Sequence, residues 1–299
     1  MPNRALDING FTNTVTTDNH ITTRGSDWYF TVTSVFGAAT IAIWALSFTK
    51  PRSQRLFHYL TAALTLISAI AYFSEGSNLG WTAIEVEFPR GSPKVAGDMR
   101  QIFYVRYIDY FITTPLLLAD LLLTAGLPTP TIWYTILINQ VFVVTRLVGA
   151  LVKSTYKWGF FTFGVVALFF VVYTIIYEGR IYSRGLGADV FRLYNVLAVW
   201  TVSIALVYPI VWAVSEGGNI IPPDSEAVAY GVLDLASKIV FAAALLWGHR
   251  NIDIERLGIH IRDAHQLPAT PVVSEKTIEA DAAAGVTAPP APTVEPETV

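Results

Sequence analysis

The chain has 299 residues, of which 53% are hydrophobic and 14% are charged, with a net charge of −3 and a mean hydropathy of +0.47. Soluble domains carry roughly 25% charged residues, so this composition indicates a membrane protein. The small net charge argues against nucleic acid as a partner, and the lack of cysteine, with five scattered histidines, argues against a disulfide framework or a metal site.

Seven segments are apolar and long enough, or nearly so, to cross a bilayer core about 30 Å thick, which takes roughly 20 helical residues. In chain order the predicted membrane helices run over about 28–48, 56–74, 102–124, 132–152, 158–177, 193–215 and 227–247. The N-terminus lacks a basic stretch followed by an apolar core, so we expect the first helix to act as the targeting signal. The sequence predicts an all-α membrane protein with a seven-transmembrane helix bundle.

The connections between these segments carry their own signals. Between the second and third segments, WTAIEVEF followed by PRGSP predicts a strand and a turn, which can form a short β-hairpin. The Gly/Pro-rich AGLPTPT predicts a tight break between the third and fourth helices. After about residue 263 the chain has no periodicity and is rich in Pro, Ala, Thr, Glu and Val, which predicts disorder.

The distribution of basic residues predicts the orientation in the membrane. With the N-terminus outside, nine Lys and Arg residues lie on the cytoplasmic side and seven outside, the bias that cytoplasmic loops normally show. We therefore expect an extracellular segment over 1–26, a seven-helix domain over 27–250 and a cytoplasmic, mostly disordered tail over 251–299.

Several ionisable residues fall inside the apolar segments, where a charge costs a few kcal/mol or more and is a functional-site hypothesis by default. They lie on the third, fourth and seventh segments: Arg106, Asp109, Asp120, Arg146, Asp234 and Lys238. Arg146 is close to the end of its segment, so we expect its side chain to extend to the lipid headgroups.

Helical spacing groups the remaining charges. Asp234 and Lys238 are four residues apart and share a face, and Arg106 and Asp109, three apart, do the same. These four charges can form a neutral cluster, which is how buried ions are tolerated.

Asp120 has no such partner in the sequence. It lies eleven residues after Asp109, nearly on the same helix face and about 16 Å further along the axis. A carboxyl group isolated in apolar surroundings is expected to be protonated at rest and can act as a proton donor. An ion pair of Lys238 with Asp234 alone would also fit a purely structural role, whereas the whole set favours chemistry.

Three motifs carry a resemblance to a known family. They are RYIDYFITTPLLLADLLL (106–123), YPIVW (208–212) and GVLDLASKIVFAAALL (231–246), on the third, sixth and seventh segments. Together and in this order they resemble the microbial rhodopsins, close to bacteriorhodopsin in motif and to fungal opsins in loop character. The resemblance covers all seven segments, about residues 28–247.

The resemblance implies a light-driven outward proton pump with all-trans retinal bound covalently to Lys238 as a protonated Schiff base. Asp109 would be the main counterion and first proton acceptor, and Asp234 the second counterion. Asp120 would return a proton from the cytoplasmic side, and Arg106 would balance the cluster. Thr113 would hydrogen-bond near Asp109, and Glu216 and Glu226 would form the proton-release pair. The hydroxyls of Tyr72 and Tyr208 would bond to Asp234. The residues implied at the retinal site are Tyr72, Tyr110, Tyr208, Pro209 and Trp212.

Some of these assignments have ordinary alternatives. Glu216 and Glu226 could be solvated loop acids, and the spacing from Tyr208 to Glu216 is one residue shorter than in the bacteriorhodopsin-like pattern. Tyr110 and Ala205 stand where such pumps usually carry tryptophan, which we expect to affect chromophore packing, colour and photocycle rate.

Other functions of seven-helix proteins remain as alternatives. A sensory rhodopsin would share Lys238 and Asp109, but the carboxylic acid at Asp120 favours a pump. Retinal-free relatives lack the lysine at the position of Lys238. Pumps of chloride or sodium usually carry other residues in place of Asp109 or Asp120. The proton acceptor Asp109 and the donor Asp120 together favour a pump over an ion channel. The G-protein-coupled receptor signatures are absent from the sequence. We expect the lipid bilayer and protons as partners, a plasma-membrane location, and a homo-oligomer such as a trimer as a possible assembly.

Overall fold

The computed structural model describes residues 3–9 and 17–261. Within them, seven helices are long and apolar enough to cross a membrane, so the protein is an integral multi-pass membrane protein. We number these helices α1 to α7 in chain order: Thr23–Ser47, Leu56–Gly76, Tyr104–Thr124, Thr129–Ala150, Lys157–Gly185, Ala188–Gly217 and Pro223–Asn251. The predicted seven-helix bundle is thereby confirmed.

The helices form a closed bundle in which each helix packs against its neighbours in sequence and α7 contacts α1. Large apolar side chains are exposed on its outer surface, among them Trp44, Leu137, Phe163, Val196 and Trp247. Such a surface suits lipid, and helices satisfy their backbone hydrogen bonds internally, as a lipid environment requires.

A two-stranded antiparallel hairpin covers one end of the bundle. Strand β1, Thr82–Glu85, pairs with β2, Met99–Ile102, in the register that places Thr82 opposite Ile102. The predicted hairpin is confirmed, and we call this side of the bundle the hairpin end. The other side, where α3 ends and α4 begins, is the opposite end; there Gly126, with φ of 69°, forms the tight turn that the Gly/Pro motif predicted.

Several predicted helix boundaries need correction. The third helix starts at Tyr104 rather than about residue 102, because Ile102 is held in the strand pairing. Helices α5, α6 and α7 are longer than predicted, since a hydropathy window detects the part of a helix in lipid and not its continuation beyond the membrane. The predicted domain boundaries stay predictions, and the chain from residue 262, most of the predicted tail, lies outside the described residues.

Irregular turns interrupt the helices near the interior charges. Pro115 cannot donate to the carbonyl of Phe111, and the side-chain amide of Gln140 on α4 donates to that carbonyl at 2.7 Å. A π-helical turn over Leu235–Val240 contains Lys238, and Trp200 donates to the carbonyl of Ala236 within it. Such turns often mark functional sites because they redirect side chains from a regular helix.

Candidate functional site

The centre of the bundle holds a buried lysine paired with a carboxylate. Lys238 and Asp109 are 3% and 2% exposed and form an ion pair through Nζ and Oδ2. Ser68 on α2 completes the group, since its hydroxyl accepts from Lys238 Nζ at 2.8 Å and donates to Asp109 Oδ1 at 2.9 Å. The hydroxyl of Thr113 instead donates to the backbone carbonyl of Asp109, at 2.8 Å. The sequence reasoning missed Ser68, whose only signal was a serine inside an apolar segment.

Asp234 is a second carboxylate close to the lysine. Its Oδ2 lies 3.8 Å from Lys238 Nζ and accepts from the hydroxyl of Tyr72 at 2.7 Å. Tyr208 donates to the other oxygen, and Tyr110 lies 3.4 Å from Oδ2. Three tyrosine hydroxyls therefore hold this carboxylate, which leaves Asp109 as the closer partner of the lysine.

Asp120 lies apart from these charges, towards the opposite end of α3. Its side chain is fully buried, and neither carboxyl oxygen has a hydrogen-bond partner among the described residues. Leu117 and Leu121, on either side of it along the helix, belong to the largest apolar cluster of the bundle. Burial of an ionised carboxylate without a partner is strongly unfavourable, so these surroundings favour the neutral acid, as the sequence predicts.

At the hairpin end, Arg106 is surrounded by three buried glutamates. Its Nη1 lies 2.5 Å from Glu226 and 3.5 Å from Glu216, and its Nε lies 3.1 Å from Glu75. The hydroxyl of Tyr29 accepts from Nη2 at 2.8 Å. The structure thus brings Glu216 and Glu226 together beside Arg106, and both are buried rather than solvated loop acids.

Tyrosines and a second arginine complete this acidic group. Glu216 accepts from Tyr107 at 2.8 Å and from Tyr230 at 2.9 Å. Arg100, on β2 and only 1% exposed, lies 2.6 Å from Glu226 and donates to the amide oxygen of Asn219 at 2.7 Å. A π-helical turn over Ala213–Gly217 carries Glu216 into this position despite the shortened spacing from Tyr208.

Glu75 and Arg100 were not among the predicted site residues. Arg100 reads in sequence as a loop charge, and Glu75 as an acid at the end of a membrane helix. Only the folding of the hairpin over the bundle and the direction of the Arg106 side chain bring them together. We call Arg100, Arg106, Glu75, Glu216 and Glu226 the outer cluster, after the side on which the orientation predicted from the sequence would place them.

An apolar cavity adjoins the lysine. Its walls are formed by α3 to α7, mainly by leucine, isoleucine, valine and phenylalanine, and Lys238, Tyr110 and Tyr208 also line it. Ala205 lines it as well, in the place where the resemblance expected a tryptophan. Of the other predicted pocket residues, Tyr72 binds Asp234 as described.

Trp212 and Pro209 are both buried on α6. The Trp212 ring stacks on Phe161 with centroids 5.3 Å apart, and its Nε1 donates to the carbonyl of Arg146 at 3.2 Å. The structure places neither Trp212 nor Pro209 among the residues that line the cavity.

The prediction for Arg146 is wrong. Its side chain does not extend to the headgroups but is 3% exposed and lines the cavity. The guanidinium carbon lies 4.2 Å from the ring centre of Phe142, one helical turn back, and 5.5 Å and 5.7 Å from those of Tyr110 and Tyr208. Because long side chains on a helix point towards its N-terminus, the guanidinium is directed into the bundle rather than out of it.

The chain is similar to known proteins over most of its length. A family model described as bacteriorhodopsin-like protein matches residues 24–252. The opsin-like protein carO of Fusarium fujikuroi is 55% identical over 262 residues, covering 87% of this chain and 85% of that protein.

Solved structures show the same fold. A light-driven proton pump from Leptosphaeria maculans is 32% identical, with a TM-score of 0.74, and the match covers 80% of this chain and 98% of that chain. Halorhodopsin, a light-driven chloride pump, is 26% identical, with a TM-score of 0.71. The match covers 79% of this chain and 98% of that chain. Fold similarity therefore extends to pumps of different ions, and the choice between ions rests on the residues of this chain.

Proposed function

Because the chain belongs to the bacteriorhodopsin-like family, we propose that it binds retinal covalently on Lys238 and pumps protons outward in the light. One observation carries the choice of proton over other ions. A buried carboxylate pairs with the lysine, and a second, unpaired carboxyl group lies on the same helix, about 16 Å away at 1.5 Å per residue. An acceptor and a donor of protons thus stand on the two sides of one nitrogen.

The cavity fits the proposed cofactor. It is lined mostly by apolar side chains and reaches the amine of Lys238, the kind of group that forms an imine with an aldehyde. Retinal would supply light absorption and an isomerisation that changes the surroundings of this nitrogen. Tyr110 and Ala205 widen the site relative to the tryptophans that the resemblance expected, so we expect altered packing of the polyene rather than loss of binding.

The proton first moves between two atoms that already contact each other. Asp109 Oδ2 accepts the proton carried by Lys238 Nζ, and Ser68 holds both groups in place. The hydroxyls of Tyr72 and Tyr208 donate to the two oxygens of Asp234 and hold this carboxylate beside the lysine. Asp120 then returns a proton to Lys238 from the opposite end, and regains its own from the solvent on that side.

The outer cluster supplies the proton that leaves the protein. Three carboxyl groups face two guanidiniums, so the cluster is neutral when one of the three carries a proton. Transfer of the proton to Asp109, three residues from Arg106 on the same helix, adds positive charge near the outer cluster and so favours ionisation of its protonated acid. The stored proton is released at the hairpin end, which faces outside in the predicted orientation of the plasma-membrane protein.

The test is the external pH of illuminated cells that express the protein and are supplied with all-trans retinal. We expect reversible acidification that a protonophore abolishes, at the same rate in chloride and in sulfate media. A coloured protein that leaves the external pH unchanged would instead identify a light sensor. A passive alkalinisation that depends on chloride would identify a chloride pump, as in halorhodopsin.

Replacement of Asp120 by Asn is expected to slow the return of the proton to Lys238. Without an internal acid the proton must come from solution, so recovery after a flash slows about 100-fold at neutral pH and a further tenfold per pH unit. Flash spectroscopy at several pH values measures this rate. Asp189→Asn is the control, since Asp189 is exposed near the same end of the bundle, and its recovery rate should match the wild type. A wild-type rate in Asp120→Asn would remove the donor role.

Glu75→Gln is expected to abolish early proton release. Two carboxylates would then face two guanidiniums, which leaves the cluster neutral without an exchangeable proton. A pH-sensitive dye in solution should report release only late in the cycle. The free energy of unfolding should change by less than about 1 kcal/mol, because the amide replaces a carboxyl group that has no hydrogen bond to Arg106 Nε and leaves the cluster neutral.

Glu226→Gln provides the contrast, because Glu226 binds both arginines. This variant should lower the unfolding temperature clearly, whereas Glu75→Gln should not. Normal early release in Glu75→Gln would show that Glu75 is only a structural partner of Arg106.

A further inference from the structure

A buried histidine lies close to Asp120 at the opposite end of the bundle. His249, on the last turn of α7, is 8% exposed, and its Nε2 lies 3.3 Å from the hydroxyl of Thr124. Thr124 follows Asp120 by four residues on α3 and therefore shares its helix face, and its hydroxyl also donates to the Asp120 carbonyl at 2.7 Å. The imidazole thus lies beside the turn of α3 that follows the proposed proton donor.

The contacts of His249 determine which of its nitrogens is free. Nδ1 lies 2.9 Å from the carbonyl oxygen of Leu245, one turn back, and because a carbonyl only accepts, Nδ1 carries the proton of the neutral ring. Nε2 is then an acceptor and faces Thr124. The ring of Phe57 packs against the imidazole, with centroids 4.2 Å apart, and holds it in this orientation. Such a ring can take up a proton on Nε2 and pass it on.

The chain after α7 covers much of the opposite end. Ile252, Ile254 and Leu257 are buried in the same apolar cluster as the leucines of α3. Arg256 fastens this segment to the start of α6, because its guanidinium donates to both carboxylate oxygens of Asp189 at 2.9 Å. A small cavity remains between this segment and the start of α2, and His249 lines it.

The other polar walls of this cavity connect it to the surface. Lys50, Gln54 and His58 line it and are each partly exposed, and within the described part of the chain its walls carry no carboxylate. Lys50 donates to the carbonyl of Arg250 at 3.1 Å. Nδ1 of His58 is enclosed and has no hydrogen-bond partner among the described residues, so a water molecule in the cavity would satisfy it. Polar groups therefore continue from the surface to His249.

From these observations we infer that His249 is the relay through which Asp120 regains its proton from the solution. The inference rests on the donor role proposed for Asp120. Once Asp120 has given its proton to Lys238, a proton from water in the cavity binds Nε2 of His249. The N–H bond at Nε2 then breaks as an O–H bond forms on the Asp120 carboxylate, and the ring returns to its neutral form. The hydroxyl of Thr124, which contacts the ring and lies one turn from the carboxyl group, can bridge the two.

The test measures how fast Asp120 exchanges its proton with the solution in the full chain, purified without retinal and kept in the dark. Transfer to D₂O shifts the infrared C=O band of a protonated carboxyl group, and Asp120→Asn, which lacks this band, identifies it. His249→Gln keeps a donor and an acceptor, but its amide does not take up a proton, so exchange should slow at least about tenfold. His260→Gln is the control, since His260 is exposed on the segment after α7, and should exchange at the wild-type rate. Exchange at the wild-type rate in His249→Gln would overturn the inference.

A second variant separates proton transfer from packing. His249→Ala leaves a space beside Phe57 that imidazole from the buffer can fill, so imidazole should restore the exchange rate saturably. Pyrazole has the same shape but is a far weaker base, and should leave exchange slow. Slow exchange in His249→Ala that imidazole does not accelerate would show that the ring only packs against Phe57, and would also overturn the inference.

A failure of the proposed pump has a different signature, because both measurements use retinal-free protein in the dark. A wild-type protein that leaves the external pH unchanged in the light contradicts the pump, whatever its rate of dark exchange. In a protein that pumps, His249→Gln should delay proton uptake from solution, reported by a pH-sensitive dye, without slowing the transfer from Asp120 to Lys238. Normal uptake in this variant of a working pump would overturn the relay alone.

Discussion

Asp109→Asn is expected to abolish light-driven acidification while the protein still binds retinal and remains coloured. The amide cannot take up the proton of Lys238 Nζ, and Asp234 is a poor substitute at 3.8 Å with its oxygens occupied by tyrosine hydroxyls. General acid–base groups contribute roughly 10²–10⁴-fold to proton-transfer rates, so pumping should fall at least 100-fold. The initial rate of external acidification, normalised to the amount of coloured protein, measures the loss.

The control is Asp98→Asn, which removes an exposed aspartate at the hairpin end and should leave pumping unchanged. Asp234→Asn is the informative second variant, because it retains the contact between Lys238 and Asp109. It should pump more slowly but measurably. Full pumping by Asp109→Asn, or a larger loss in Asp234→Asn, would reverse the roles assigned to the two carboxylates.

Helical periodicity was sufficient to predict the central charges. Lys238 and Asp234 share a turn of one helix, so their contact at 3.8 Å follows from spacing alone. Arg106 and Asp109 share a turn of another helix, but the cluster of four charges that the spacing predicted is wrong, because Arg106 pairs with glutamates and Asp109 with Lys238. The isolation of Asp120 also follows, because a carboxyl group in a run of leucines has no local partner. These are relations within single helices, which are fixed by the geometry of the helix and not by tertiary packing.

Contacts between distant parts of the chain could not be predicted in the same way. Glu75 and Arg100 join the outer cluster only because a helix end and a hairpin strand meet beside Arg106. Ser68 gains its role from the rotation of α2 towards Lys238. For Arg146, closeness to the end of a segment suggested the headgroups, whereas the rotation of α4 directs its side chain to the cavity.

Lys238→Ala is expected to remove all visible absorbance with retinal and also to destabilise the retinal-free protein. The first effect follows from loss of the only amine that lines the cavity among the described residues. The second follows because Asp109 would be left buried and without its cation. Removal of one partner of a buried ion pair typically costs about 3–5 kcal/mol, a large share of the stability of a protein.

The double variant Lys238→Ala with Asp109→Asn separates the two effects. It removes both charges together, so most of the lost stability should return, while the absorbance should stay absent. The four proteins to compare without retinal are the wild type, Lys238→Ala, Asp109→Asn and the double variant. Their chemical denaturation in one detergent gives the interaction energy between Lys238 and Asp109 through a double-mutant cycle. Recovery of less than half of the lost stability would mean that Lys238 stabilises the bundle mainly through Ser68 and Asp234. Asp109 would then be free to exchange its proton without loss of the fold, and the pumping defect of Asp109→Asn would be purely one of proton transfer.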